Sequence, residues 1–153
     1  MEAAHKKWGQ KAWSDLFAEA IGLAESGFSV SPRLAALVAA DADRLGRFSD
    51  TAAYFFRDGK PLVEGSKLTN LEYADVMRRM AEEGARVIYS GDIAKAIVDT
   101  VRGAESNPGV ISLADLQTYK VKERPAVCAP FRGYQICGMG PPSSGALTVG
   151  QIL

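Results

Sequence analysis

The sequence predicts a mainly α-helical fold, an orthogonal bundle of helices with two short β-hairpins. Apolar residues recur every three or four positions along most of the chain before Val121, which is the spacing of amphipathic helices. Asp58-Gly59 and Arg132-Gly133 each interrupt a short apolar run, as hairpin turns do. We therefore expect a helical domain with an early hairpin at residues 1–124. A second domain at residues 125–153 is expected to contain a hairpin, a loop and the start of a truncated helix.

Two helices are expected first. One runs from about Ala12 to Ser26 and ends at Gly27, because glycine readily adopts the left-handed backbone conformation that often ends a helix. Its inward stripe consists of Trp13, Leu16, Phe17, Ala20, Ile21 and Ala24. The second helix begins at Ser31-Pro32, a capping residue followed by proline at the first helical position, and continues to Gly46.

The early hairpin is predicted around Asp58-Gly59. This dipeptide suits a type I′ turn, and Tyr54–Phe56 and Leu62–Val63 flank it as candidate strands.

Three further helices are expected after that hairpin. Thr69–Glu72 has the pattern of a capping box, which predicts the start of a helix that ends at Gly84. A second helix follows Gly91 and stops at Gly103. Ser112–Asp115 then caps one short helical turn that ends near Tyr119.

The late hairpin is predicted from Pro125–Pro130 and Tyr134–Cys137. If its turn has two residues, Cys128 lies directly opposite Cys137 at a non-hydrogen-bonded pair, where Cα atoms are about 4.5 Å apart. A disulfide accepts that separation. The alternative is two reduced, partly buried thiols, with a bulge at Pro130 that breaks the register.

The segment Pro141–Gly145 is the candidate site motif, with a structural or site-lining role. Its two prolines, Pro141 and Pro142, are expected to hold the chain extended. The hydroxyls of Ser143 and Ser144 are then expected to cap a helix, and Gly145 permits a close approach of the backbone. That helix carries apolar residues to the last position, so we expect the sequence to be a piece of a longer protein and to self-associate through Leu147, Val149, Ile152 and Leu153.

Composition and charge exclude several classes of function. Eighteen basic and eighteen acidic residues balance, so no net field favours nucleic acid or an anionic membrane surface. No apolar run has the length of a membrane span. Glycine-rich phosphate loops are missing, and we expect neither a cofactor nor a metal site.

The residues alone point to no catalytic group in this chain. The single histidine, His5, lies among lysines and is expected to be solvated, so no Ser-His-Asp or Cys-His arrangement is available. Glu82 and Glu83 are interpreted as a solvated helix face. Ser143 and Ser144 have no base within sequence reach, which favours capping over nucleophilic catalysis.

The order of landmarks nevertheless resembles the large subunit of the γ-glutamyltranspeptidase family, over nearly the whole chain. The most specific motif is Pro141–Gly145, followed by Gln151-Ile152-Leu153. The other landmarks are Trp13 through Val30, Asp58-Gly59 with Pro61-Leu62 and Gly65, Tyr89 with Gly91 and Ala94, Ile111 with Asp115-Leu116 and Tyr119, Pro125, and Phe131–Tyr134.

The resemblance implies an N-terminal-nucleophile hydrolase that cleaves γ-glutamyl amides such as glutathione and passes the γ-glutamyl group to water or an amino acid. In that family a precursor cleaves itself, and the exposed threonine of the small subunit uses its own α-amine as base. The position of that threonine lies beyond Leu153, and the position of the arginine that binds the substrate carboxylate lies before Met1. The implied partners are therefore the rest of the large subunit and the small subunit. The residues leave localisation open, whereas the resemblance implies a periplasmic or secreted parent protein.

Some positions depart from the family pattern and keep other interpretations open. Glu19 replaces a usual proline, Ala146 replaces a common second glycine, and Leu68–Ala74 lacks the usual Gln-Pro. A relative acting on other γ-glutamyl compounds, or one similar to cephalosporin acylases, fits as well. An autonomous helical interaction module without catalysis is the alternative from another class.

Overall fold

The computed structural model describes all 153 residues and shows a mainly helical chain with small hairpins. The chain divides into two units, Met1–Thr118 and Tyr119–Leu153, which are described separately. The predicted division into domains at residues 124 and 125 stays a prediction.

The first unit contains nine α-helices, one 3₁₀ helix and four two-residue strands. In chain order they are α1 (Glu2–Trp8), the 3₁₀ helix (Ser14–Leu16), α2 (Ala18–Ser26), β1 (Phe28–Ser29), α3 (Pro32–Ala40), α4 (Ala42–Leu45), α5 (Ser49–Phe55), β2 (Phe56–Arg57), β3 (Lys60–Pro61), β4 (Lys67–Leu68), α6 (Leu71–Glu83), α7 (Arg86–Tyr89), α8 (Gly91–Arg102) and α9 (Leu113–Thr118).

The first two predicted helices are each interrupted. The α-helix begins at Ala18 rather than Ala12, because a 3₁₀ turn precedes it and the indole N–H of Trp13 donates to the carbonyl of Met80 at 2.8 Å. The second helix begins as predicted, with the Ser31 hydroxyl accepting from the N–H of Leu34 at 3.2 Å. It does not continue to Gly46 unbroken, since Asp41 leaves the helical conformation at φ −113° and ψ 20°.

The cap of α6 lies one residue later than the sequence pattern suggests. Asn70, and not Thr69, is the N-cap, and its Oδ1 accepts from the N–H of Tyr73 at 2.9 Å. This register places Glu72 at the second helical position, too early for a reciprocal capping box. The predicted stop at Gly84 is confirmed, with φ of 80°.

The predicted type I′ turn at Asp58-Gly59 is confirmed by positive φ values of 50° and 71°. Its strands are shorter than predicted, because Tyr54 and Phe55 belong to α5. The antiparallel pairs are Phe56 with Pro61 and Arg57 with Lys60.

A second ladder in this unit has no counterpart among the predictions. Strand β1 pairs antiparallel with β4, with Phe28 opposite Leu68. This ladder brings together the buried side chains of Val30, Leu62 and Leu68, against which Leu34, Ala35, Tyr54 and Phe55 pack. One part of the core therefore lies where the short strands join the helices, and the other buried residues lie on helices, namely Ala24, Val38, Ala74, Val87, Ala94 and Val98.

The second unit contains β5 (Val127–Phe131), β6 (Tyr134–Gly138) and α10 (Gly145–Ile152). Its hairpin turn uses Arg132 and Gly133, both with positive φ, and the predicted register is confirmed with Cys128 opposite Cys137. The two cysteines form a disulfide, with Cα atoms 4.1 Å apart. Pro130 causes no bulge, since it faces Gln135 at a non-hydrogen-bonded pair where its missing N–H is not needed.

None of the helices combines the length and the apolar character that crossing a membrane requires.

Candidate functional site

The segment Pro141–Gly145, called here the PPSSG segment, connects β6 to α10. It begins with a turn over Gly140–Ser143, closed by the N–H of Ser143 donating to the carbonyl of Gly140 at 3.1 Å. The peptide bond between Pro141 and Pro142 is cis. The hydrogen-bonded turn over Gly140–Ser143 shows that the expectation of an extended Pro-Pro run is wrong.

The two serine hydroxyls differ in what they do. Ser143 Oγ accepts from the N–H of Gly145, the first residue of α10, at 3.4 Å, as expected for a hydroxyl at the start of this helix. Ser144 has helical backbone angles, with φ −82° and ψ −15°, and its side chain makes no capping bond. Ser144 occupies the N-cap position of α10, but its backbone has helical angles instead of the extended ones that a capping side chain needs, so the predicted cap is wrong for Ser144.

Close contacts between small residues hold α10 against the hairpin. A Cβ added to Gly138 would lie 3.0 Å from the Cβ of Ala146, and one added to Gly150 would lie 3.2 Å from the Cβ of Ala129. These distances leave no room for larger side chains. The hairpin, the PPSSG segment and α10 therefore form one packed arrangement in which the loop is fixed at both ends.

Arg124 binds the start of the PPSSG segment and was not singled out by sequence reasoning. Its guanidinium donates to the carbonyl of Pro141 at 3.3 Å. The residues around this bond enclose a groove of about 190 Å³ lined by Lys122, Arg124, Pro125, Ala126, Gly138, Met139, Gly140 and Pro141. Arg124 lies in an irregular stretch without a helix or strand pattern, so the sequence does not indicate its contact with Pro141. Only the folded structure brings the two residues together.

A larger groove, of about 480 Å³, lies between α6 and α8 and is organised around an ion pair. Both terminal guanidinium nitrogens of Arg79, Nη1 and Nη2, donate to the Asp92 carboxylate, at 2.8 and 2.6 Å. These bonds lower the pKa of Asp92 to about 2. A carboxylate that remains ionised and paired is a poor general base near neutral pH, so this groove favours a structural role.

The groove at the N-terminal helix contains the only histidine. His5 is half-buried and not fully solvated, because its ring packs edge-on against Trp13 with centroids 5.2 Å apart, and its Nε2 lies 2.9 Å from the carbonyl of Lys11. Glu2 lies beside it, and hydrogen bonds from Lys6 and from the N–H of Ala85 lower the pKa of its carboxyl. Glu83 is exposed, as predicted, and pairs with Arg86 at 2.7 Å. The bond from the N–H of Ala85 to Glu2 joins α1 to the start of α7.

No group of three or more His, Cys, Asp and Glu side chains in the 153 residues is arranged to hold a metal ion. The sequence profile of the gamma-glutamyltranspeptidase family matches residues 1–153.

The chain belongs to the gamma-glutamyltranspeptidase family. It is 35% identical over 147 residues to the Acylase ACY 1 proenzyme of Pseudomonas sp. strain SE83, a match covering 96% of this chain and 26% of that protein. It is 34% identical over 148 residues to the glutathione hydrolase proenzyme of Escherichia coli K12, covering 96% of this chain and 25% of that protein. The chain thus spans about a quarter of the length of these curated relatives.

The fold agrees with this membership of the gamma-glutamyltranspeptidase family. The crystal structure of Helicobacter pylori gamma-glutamyltranspeptidase superposes with a TM-score of 0.89 at 35% identity, covering 99% of this chain and 43% of that one. The resemblance and the mainly α fold with small hairpins, both inferred from the sequence, are confirmed.

Proposed function

We propose that this chain is part of the large subunit of an enzyme that cleaves γ-glutamyl amides and transfers the γ-glutamyl group to water or to an amino acid. The observation that carries the proposal is the family match along residues 1–153, together with the TM-score of 0.89 to the H. pylori enzyme. The nucleophile would be an N-terminal threonine outside these 153 residues, activated by its own α-amine.

In this proposal the chain supplies scaffold and not reacting groups. The Ser143 hydroxyl accepts from the first N–H of α10, and Asp92 is paired with Arg79. The PPSSG segment would support the site or line it, since it is held by Arg124 at one end and by the packing of α10 at the other. Its partners would be the rest of the large subunit and the small subunit that carries the threonine; relatives named as proenzymes support such processing.

A second candidate function is acylase activity on cephalosporins. It is favoured by the similarity to the crystal structure of a cephalosporin acylase from Bacillus halodurans, with a TM-score of 0.76 at 25% identity, and by the 35% identity to the Acylase ACY 1 proenzyme. Both reactions pass through an acyl-enzyme and differ in the acyl group and leaving amine, so the same scaffold would serve either.

Two assays on the complete translation product that contains this segment separate the candidates. A chromogenic γ-glutamyl anilide reports γ-glutamyl transfer, and release of the free amine from an acylated cephalosporin reports acylase activity. We expect turnover of the anilide, accelerated by a dipeptide acceptor. Turnover of the cephalosporin alone would favour the acylase, and turnover of neither would contradict both.

The 153-residue chain alone should turn over neither substrate, because it lacks the threonine. The matched controls are Ser143→Ala and Ser144→Ala. Activity that survives repeated purification of the chain and disappears in either variant would contradict the assignment of catalysis to a missing residue.

A further inference from the structure

The unit Tyr119–Leu153 has very little core of its own. Every fully buried side chain of the molecule lies in Met1–Thr118, and no residue from 119 onward is fully buried. Folded units below about 40 residues usually need a disulfide, a metal or association to be stable. Within this unit the bridge between Cys128 and Cys137 is such a constraint.

The bridge lies on the open face of the hairpin. Along β5 the half-buried residues Val127, Ala129 and Phe131 alternate with exposed ones, and Ala129 contacts α10 through Gly150. Cys128 and Cys137 therefore occupy the face opposite to α10, and both are exposed. The disulfide links β5 and β6 on the exposed face of the hairpin and takes no part in the packing between the hairpin and α10.

The position of the disulfide in the ladder determines which part of the hairpin depends on it. Cys128 and Cys137 form a non-hydrogen-bonded pair, so no backbone bonds join the two residues directly. The next pair toward the open end, Val127 with Gly138, is the last of the ladder, and Gly138 is the residue on which Ala146 of α10 packs. Losing the cross-link would therefore release the end of the hairpin that supports α10.

We propose that Cys128 and Cys137 form a reversible redox site whose substrate is a dithiol reductant. One thiolate of the reductant attacks a cysteine sulfur, forming a mixed disulfide and releasing the other cysteine as a thiolate. The second thiol of the reductant then displaces the remaining cysteine, so the protein gains two electrons and two protons and the reductant becomes a disulfide. The oxidised chain keeps β5, β6 and α10 folded, and the reduced chain loosens them while Met1–Thr118 stays intact.

Hydrogen exchange of the full chain tests this proposal, with the oxidised and dithiothreitol-reduced forms compared at the same pH. On reduction, amides of β5, β6 and α10 should lose protection by about tenfold or more, whereas amides of α6 and α8 should not change. Reoxidation should restore the original pattern. The variant Cys128→Ser/Cys137→Ser should resemble the reduced form, and the control Gln135→Ser, on the same exposed face, should resemble the oxidised one.

Three results would overturn the proposal. Unchanged protection of β5, β6 and α10 after complete reduction would show that the bridge does not hold the unit. Failure of iodoacetamide to label either cysteine after dithiothreitol treatment of the native chain would show that the reductant does not reach it. Equal loss of protection in both units would show general unfolding. The amides of α6 and α8 report folding independently if the double variant is unstable.

Discussion

Single polar side chains set the starts of the helices that build the larger unit. Asn70 begins α6 and Ser31 begins α3, each by accepting a backbone N–H that has no partner within its helix. The backbone N–H of Asn70 also donates to the carbonyl of Ala24 at 2.8 Å, which joins α6 to the end of α2. One residue therefore determines both where α6 starts and where it is attached.

The cap at Asn70 gives the first prediction. Asn70→Ala should lower the free energy of unfolding by about 1 kcal/mol, because the N–H of Tyr73 loses its acceptor. The control Thr69→Val keeps the shape of the exposed neighbour, removes its hydroxyl and should change stability by less than about 0.5 kcal/mol. Urea unfolding followed by tryptophan fluorescence measures both, since Trp8 and Trp13 lie in Met1–Thr118. A larger loss of stability in Thr69→Val than in Asn70→Ala would place the cap at Thr69.

Among the elements, the β1–β4 ladder supplies Leu68 to the core. Leu68 on β4 is 1% exposed and packs with Val30 and Leu62. Leu68→Ala should lower the free energy of unfolding by about 2–5 kcal/mol, because it removes buried methyl groups and leaves a cavity. Leu71→Ala, the same change at a residue that is 62% exposed, should cost far less in the same urea titration. Equal costs would mean that Leu68 is not in the core.

The ion pair between α6 and α8 makes stability depend on pH. Because the pKa of Asp92 falls from 3.8 to about 2 in the folded chain, its contribution is fully present above about pH 3.8 and disappears as the pH falls through 2. Wild type should therefore be more stable than Asp92→Asn above pH 3.8, and the difference should shrink as the pH falls and be lost below pH 2. Arg79→Gln should reproduce that loss. A difference that is independent of pH between 2 and 5 would contradict the assignment.

The elements that could be predicted from the sequence are those fixed by neighbouring residues. The Asp58-Gly59 and Arg132-Gly133 turns need only a dipeptide that tolerates positive φ, and both form as predicted. The pairing of Cys128 with Cys137 follows from the turn at Arg132-Gly133, because a two-residue turn fixes which strand residues lie opposite each other. The β1–β4 ladder could not be predicted. Strands of two residues are too short to show an alternating apolar pattern, and the two strands are far apart in the sequence. The break at Asp41 was missed because the apolar pattern continues across it.

The candidate site could be predicted in part. The PPSSG segment stands out in the sequence, and the helix after it forms where the apolar pattern indicates. The acceptor role of Ser143 at the start of that helix was expected from its position, whereas the turn depends on a contact with Gly140 that no pattern specifies. Arg124 becomes part of the site only through folding.

For the molecule as a whole, the apolar surface of α10 predicts association. Leu147 is 48% exposed and Ile152 is 77% exposed, and hydrophobic residues in such a cluster favour burial against another surface. Sedimentation of the 153-residue chain should show a dimer or larger species, which Leu147→Ser/Ile152→Ser should weaken. Met139→Ser, an exposed apolar residue outside α10, is the control. A clean monomer with strongly protected α10 amides would contradict this prediction.

The family relationship gives the molecule its proposed place in a larger enzyme, and the most direct test is to express the complete open reading frame that contains this segment. We expect the purified product to separate into two subunits, with threonine at the N-terminus of the smaller one, and to turn over a γ-glutamyl anilide. Alanine at that threonine should leave the precursor uncleaved and inactive. A single uncleaved chain without turnover, or activity that survives loss of the threonine, would contradict the account.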